Sequence, residues 1–130
     1  MKTIKQTVYF DAPPHEIFEL LMDSKKHSAF TGSKAVISRS KNGKIMAYDG
    51  YIEGKNLEIV KDKKIVQEWR GTDWEEGIYS KAEFKLEKKG NGCKLTFVQT
   101  GVPDKQYDAI KQGWIDYYWE PMKDYLESPH

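Results

Sequence analysis

The chain has 130 residues, 38% of them hydrophobic and 32% charged, with 21 basic side chains against 20 acidic ones. That length suits one domain with its own buried core, and the composition is that of a globular protein rather than a disordered one. A formal charge of +1, with lysines interleaved among acids as in Glu83-Phe84-Lys85-Leu86-Glu87-Lys88, lacks the basic footprint of a nucleic-acid binder and reads as a solvated face.

Lys2 to Asp11 alternates, with Ile4, Gln6, Val8 and Phe10 on one face and Lys5, Thr7 and Tyr9 on the other, which predicts a strand covered on one side. Asp11-Ala12-Pro13-Pro14 ends it and opens a helix, since proline suits a first turn and Glu16 adds negative charge at its positive end. Ile17, Phe18, Leu20 and Leu21 form the apolar stripe of that helix. Asp23-Ser24 caps a second short helix through His27 to Phe30, ended by Gly32.

A run of strands follows. Asn42-Gly43 between Ala35-Val36-Ile37 and Ile45-Met46-Ala47-Tyr48 is a hairpin signal. Asp49-Gly50 inside a strand-like run marks a bulge or bend, and Gly54-Lys55-Asn56 is read as the break before Leu57-Glu58-Ile59-Val60. Lys61-Asp62-Lys63 links to Ile65-Val66-Gln67-Glu68-Trp69-Arg70. Ile78, Ser80, Ala82, Phe84 and Leu86 then alternate with charged residues, and after Gly90-Asn91-Gly92 so do Cys93, Leu95, Phe97 and Gln99.

From Asp104 to Leu126 the period changes. Tyr107, Ile110, Trp114, Tyr117, Tyr118, Pro121 and Tyr125 recur at helical spacing, opposite Gln112, Asp116, Glu120 and Lys123. Pro121 inside this long helix predicts a kink, and Gly113 weakens it unless something packs closely there. The expected class is α+β: seven antiparallel strands, two short helices between strands 1 and 2, and a long C-terminal helix burying its stripe on the concave sheet face.

Little in the chain points to chemistry. Cys93, the only cysteine, excludes an intrachain disulfide and a cysteine-based metal site, reads as an inert core thiol and suits a reducing cytoplasm. His15 and His27 lack partners at metal-ligand spacing and read as surface helix positions; His130 is terminal. No phosphate-cradling loop, nucleophile motif, signal peptide or membrane-length apolar run is present, so no cofactor is expected. The polar-tipped aromatics are too many for a wholly dry core, and they suit pocket walls. Trp69, Tyr79, Phe84, Phe97, Trp114, Tyr117 and Tyr118 are the expected walls, with Ser80 and Gln99 as polar contacts. In the turn Trp69 to Gly77, Arg70 and Asp73 would pair across the loop; alternatively Arg70, Asp73, Trp74 and Glu75 would meet a protein partner.

The chain resembles, over essentially its whole length, the C-terminal domain of the activator of heat-shock-protein-90 ATPase. The resemblance lies in Ala12-Pro13-Pro14, Lys64-Ile65-Val66-Gln67-Glu68-Trp69-Arg70, Asp73-Trp74-Glu75-Glu76-Gly77, Gly101-Val102-Pro103, and Gly113-Trp114 leading into Tyr117-Tyr118. It implies the helix-grip fold of the START/polyketide-cyclase/pathogenesis-related superfamily, a curved sheet wrapped around the last helix. In the eukaryotic co-chaperone another domain precedes this one and engages the chaperone; here the first strand begins within a few residues of Met1. Stand-alone members of the family look like small ligand-binding or stress-related proteins. The expected function is non-enzymatic holding of a small apolar or lipid-like ligand between helix and sheet. The alternatives are a module binding the heat shock protein 90 chaperone and a cyclase- or hydrolase-like enzyme.

Overall fold

The computed structural model describes residues 1–128; His130 lies outside the described residues. The elements are β1 (Lys2–Phe10), α1 (Pro14–Met22), α2 (Ser24–Thr31), β2 (Val36–Ile37), β3 (Lys44–Ala47), β4 (Ile52–Val60), β5 (Lys64–Gly71), β6 (Ser80–Lys89) and β7 (Gly92–Val102). The terminal helix is α3 (Tyr107–Trp114) and α4 (Glu120–Glu127), joined by a π-turn over Ile115–Trp119. All seven strands form one antiparallel sheet in the order β1-β7-β6-β5-β4-β3-β2, so the first strand closes beside the last.

Local signals explain most boundaries. Ile4, Val8 and Phe10 face the core from β1, and Ile17, Phe18, Leu20 and Leu21 do so from α1. The Asp23 side chain accepts from the Lys26 N–H at 2.9 Å, and Gly32 ends α2 with φ 71°. On β6 and β7 the alternation puts Ser80, Ala82, Phe84, Leu86, Cys93, Leu95, Phe97 and Gln99 inside. The β2–β3 connection is a wider loop than a two-residue turn, held by buried Asn56, whose amide donates to Ser38 O at 2.7 Å and Ser40 O at 3.0 Å.

Two expectations are corrected. Gly54-Lys55-Asn56 is not a break: β4 runs straight through it, and the chain reverses earlier, at Tyr48–Gly50. There Tyr48 (φ 49°), Asp49 (φ 56°) and Gly50 (φ 96°) are all left-handed. Gly54 instead permits close backbone approach, since a Cβ there would collide with the Glu68 carbonyl on β5.

The second correction concerns the buried face of the terminal helix. Of the expected stripe, Tyr118 is buried and Tyr125 packs half-buried against the core, but Tyr117 is 58% exposed and Pro121 is only half-buried, while Trp119 and Met122, outside that stripe, are buried. A π-turn inserts one extra residue into the winding, so the core-facing positions just after it move along the chain, to Trp119 and Met122. Pro121 supplies the cause. It has no N–H for the Tyr117 carbonyl, and its ring crowds that carbonyl, so the helix opens by one residue just before it.

Candidate functional site

Trp114 on α3 is the hub of the interior. Its ring centroid lies 4.4 Å from that of Phe97 on β7, 5.4 Å from Trp69 on β5, 5.7 Å from Phe84 on β6, and 4.6 Å from Tyr118. Its indole N–H donates to Gln99 Oε1 at 2.8 Å, Gln99 Nε2 donates to Ser80 Oγ at 2.8 Å, and Ser80 Oγ donates to the Trp69 carbonyl at 2.6 Å. This relay satisfies three buried polar groups within the protein. Phe97, Ser80 and Gln99 therefore belong to a filled interior, and Phe84 borders only a gap of about 10 Å³ between helix and sheet, shared with Leu21, His27, Trp114 and Tyr118.

Open space lies on both sides of the terminal helix: a more polar groove of about 410 Å³ against β1, bordered by Gln6, Tyr9, Glu120 and Lys123, and a mostly apolar one between the helix and the β3–β4 corner. The latter, a cleft of about 420 Å³, is lined by Tyr48, Tyr51, Ile52, Trp69, Ala109, Ile110, Gly113, Trp114, Tyr117 and Tyr118. Four of the anticipated wall residues, Trp69, Trp114, Tyr117 and Tyr118, line it. Tyr79 does not; its ring lies 5.6 Å from the Arg70 guanidinium on another part of the surface. Tyr48 and Tyr51 were not anticipated, because they reach the cleft only through the left-handed turn, and no periodicity marks such a placement. Gly113 has its nearest side-chain neighbour beyond 3.4 Å, Tyr117 Cδ2 at 3.6 Å from a modest Cβ. The glycine therefore leaves the cleft wall low rather than admitting a closely packed partner.

The Tyr48 hydroxyl donates to the Tyr117 carbonyl at 2.6 Å, across the edge of the cleft. That carbonyl is the one Pro121 leaves without its helical N–H donor. Burial pushes the Tyr48 phenol up to about 12, with Tyr117 adding to the shift. Tyr51 donates to Asp73 Oδ1 at 2.9 Å, and burial followed by this bond raises it to about 12 as well.

His27 is a third correction. Read as a surface position, it is 4% exposed, wedged between α1 and the terminal helix. Its Nδ1 lies 3.1 Å from the Leu21 carbonyl and its Nε2 lies 2.9 Å from the Tyr118 hydroxyl. A carbonyl only accepts, so Nδ1 carries the hydrogen, Nε2 offers a lone pair, and Tyr118 donates to it. Burial lowers His27 to about 4 and, together with nearby Tyr48, raises the Tyr118 phenol. The polar neighbours of His27 on α2, Lys25, Lys26 and Ser28, with only Phe30 strongly hydrophobic, hid this histidine from a sequence reading.

The loop between β5 and β6 is built around Arg70. Its guanidinium donates to the carbonyls of Ile78 (3.1 Å), Trp74 (2.7 Å) and Glu75 (3.3 Å), and pairs with Glu53 at 3.4 Å. The expected Arg70–Asp73 pair is absent from these contacts because Asp73 faces Tyr51. Arg70 and Trp74 are buried, whereas Asp73 and Glu75 are exposed. The Trp74 indole N–H is buried without a partner among the described residues. Among those residues no cluster of three or more His, Cys, Asp or Glu could hold a metal ion, and no helix is long and apolar enough to cross a membrane.

Comparison with known proteins places this geometry. A human activator of 90 kDa heat shock protein ATPase, homolog 1, is 29% identical over 121 residues, covering 93% of this chain and 35% of the human protein. The Dictyostelium discoideum homolog is 30% identical over 114 residues, 87% of this chain and 30% of its own length. The chain thus spans about a third of the length of the curated relatives it matches. The crystal structure of an HSP90 activator from Plasmodium falciparum superposes with a TM-score of 0.91 at 26% identity, over 99% of both chains. Residues 11–127 match the model of one family, and the chain belongs to it: the Activator of Hsp90 ATPase homolog 1-like proteins.

Proposed function

We propose that this chain is a non-enzymatic binding module that holds a small apolar or aromatic molecule in the cleft beside the terminal helix. The observation that carries the reading is the cleft of about 420 Å³, walled by aromatic rings and flanked by a helix that presents glycine there. Small-molecule sites run from roughly 300 to 1,000 Å³ and are mostly apolar with few polar groups. Burial of ligand surface, worth about 25 cal/mol per Å², drives the binding. Two histidine pairs could do acid–base work: His15 Nδ1 lies 2.9 Å from Asp62 Oδ1, but at the exposed surface away from the cleft, and the hydrogens of His27 and Tyr118 are engaged with Leu21 and with each other, so we read the latter pair as an internal brace. A single buried thiol, pushed up to about 11 by burial, suits a reducing compartment such as the cytosol. Native mass spectrometry of protein purified from its own host tests the reading. The expected result is a co-purifying small molecule that is missing from a Gly113→Phe variant, whose side chain fills the cleft. A bare mass for the wild-type chain overturns it.

A second reading is favoured by one observation, the equal-length relative described as an HSP90 activator. In this reading the chain docks on the heat shock protein 90 chaperone through the β5–β6 loop, with exposed Asp73 and Glu75 touching the partner and buried Arg70 and Trp74 holding the loop in shape. Titrating the isotopically labelled chain with the chaperone tests it. Shifts centred on Thr72 to Gly77 support docking, and an unchanged spectrum removes it.

A further inference from the structure

The charge and hydrogen-bonding character of the cleft walls restricts what can enter. None of the lining residues is Lys, Arg or His. The hydrogens of the wall are largely spoken for: Tyr48 donates to the Tyr117 carbonyl, Tyr51 to Asp73, Tyr118 to His27, and the Trp114 N–H to Gln99. The remaining lining donors, the Trp69 indole N–H and the exposed Tyr117 hydroxyl, are neutral. What lines the cleft is therefore uncharged and aromatic, tyrosine and tryptophan rings with few hydrogens left to donate. Behind Tyr51, one hydrogen bond away, stands the Asp73 carboxylate.

An entering carboxylate would lose its hydration and find no cation in return. An ammonium would lose hydration too, but would meet the negative faces of tyrosine and tryptophan rings and the field of Asp73. We propose that the cleft selects small ring-bearing ammonium ions, such as aralkyl amines, over carboxylates of the same shape. The selection rests on the ligand-binding reading above and names its ligand class.

Three probes of matched shape test it: 2-phenylethylammonium, 2-phenylethanol and phenylacetate, each titrated at neutral pH into the ¹⁵N-labelled chain while the indole N–H signals of Trp69 and Trp114 are followed. The ammonium is expected to bind roughly tenfold more tightly than phenylacetate, with the alcohol between, the ratio a cation–π contribution of ordinary size would produce. Asp73→Asn keeps an acceptor for Tyr51 and should shrink that ratio; Gly113→Phe should abolish binding of all three. Phenylacetate binding as tightly as the ammonium overturns the charge selection while leaving the cleft as a ligand site. Silence from all three probes overturns the ligand-binding reading, and the selection with it. Ammonium binding unaltered in both variants places the event outside the cleft and overturns the selection alone.

Discussion

His27 shows how much one side chain's surroundings decide. Its ordinary value of 6.5 falls to about 4 in the fold because burial penalises the charged ring. Above pH 6.5 neither the folded nor the unfolded chain protonates this group, so its neutral form costs nothing. Between 6.5 and about 4 the unfolded chain takes a proton that the folded chain refuses, so stability falls with pH. The loss is on the order of 3 kcal/mol by pH 4, and it levels off below that. Urea denaturation across this range should show the slope, and His27→Asn, which removes the titrating group, should flatten it. The tryptophans sort by their N–H partners in the same way. Trp74 has an unsatisfied buried indole N–H, so Trp74→Phe is expected to change stability by less than about 1 kcal/mol, the lost area offset by a relieved polar group. Trp114→Phe strands Gln99 Oε1 and should cost about 2–3 kcal/mol in the same assay. A comparable loss for both would refute the distinction.

At the scale of elements, the terminal helix is defined by its interruption. The π-turn, Pro121 and the Tyr48 hydroxyl form one device: the proline frees a carbonyl, the turn accommodates it, and the tyrosine of the opposite corner claims it. Tyr48→Phe removes that claim and should cost about 1 kcal/mol, measured by thermal unfolding, while raising the hydrogen-exchange rate of the Tyr48–Gly50 turn. Gly113 is the complementary case. A Cβ meets nothing closer than 3.6 Å, so Gly113→Ala is expected to raise stability by about 0.5–1 kcal/mol through helix propensity while narrowing the cleft. A destabilised alanine variant would mean the position is packed more tightly than its geometry indicates.

At the scale of the molecule, β1 pairs with β7 and the terminal helix packs across the sheet between chain ends, so the concave face is completed last in sequence order. Removing the residues after Pro103 would take Trp114 and Trp119 off Trp69, Phe84 and Phe97 and expose those three together. Such a truncated chain is expected to lose its cooperative unfolding transition and to bind a hydrophobic dye, whereas a cooperative transition would show that the sheet is self-sufficient. Alternation and end signals made most of this architecture legible: Ser80 through Leu86 and Cys93 through Gln99 point inward as their period requires, and Asp23 and Gly32 bound α2 as their chemistry requires. The candidate site was legible in part. Trp69, Trp114, Tyr117 and Tyr118 could be named because they cluster on one helix and one strand. Tyr48, Tyr51 and the buried state of His27 could not, since each depends on a partner distant in the chain.

The amino-acid order by itself determined which residues avoid water and which segments wind or extend, because those preferences act between near neighbours with fixed periods. Only the tertiary structure decided that the helix seals the sheet along most of its length and stands off beside the β3–β4 corner. That outcome follows from a one-residue slip at the π-turn and a left-handed corner, and neither changes the hydrophobic pattern from which the rest was read.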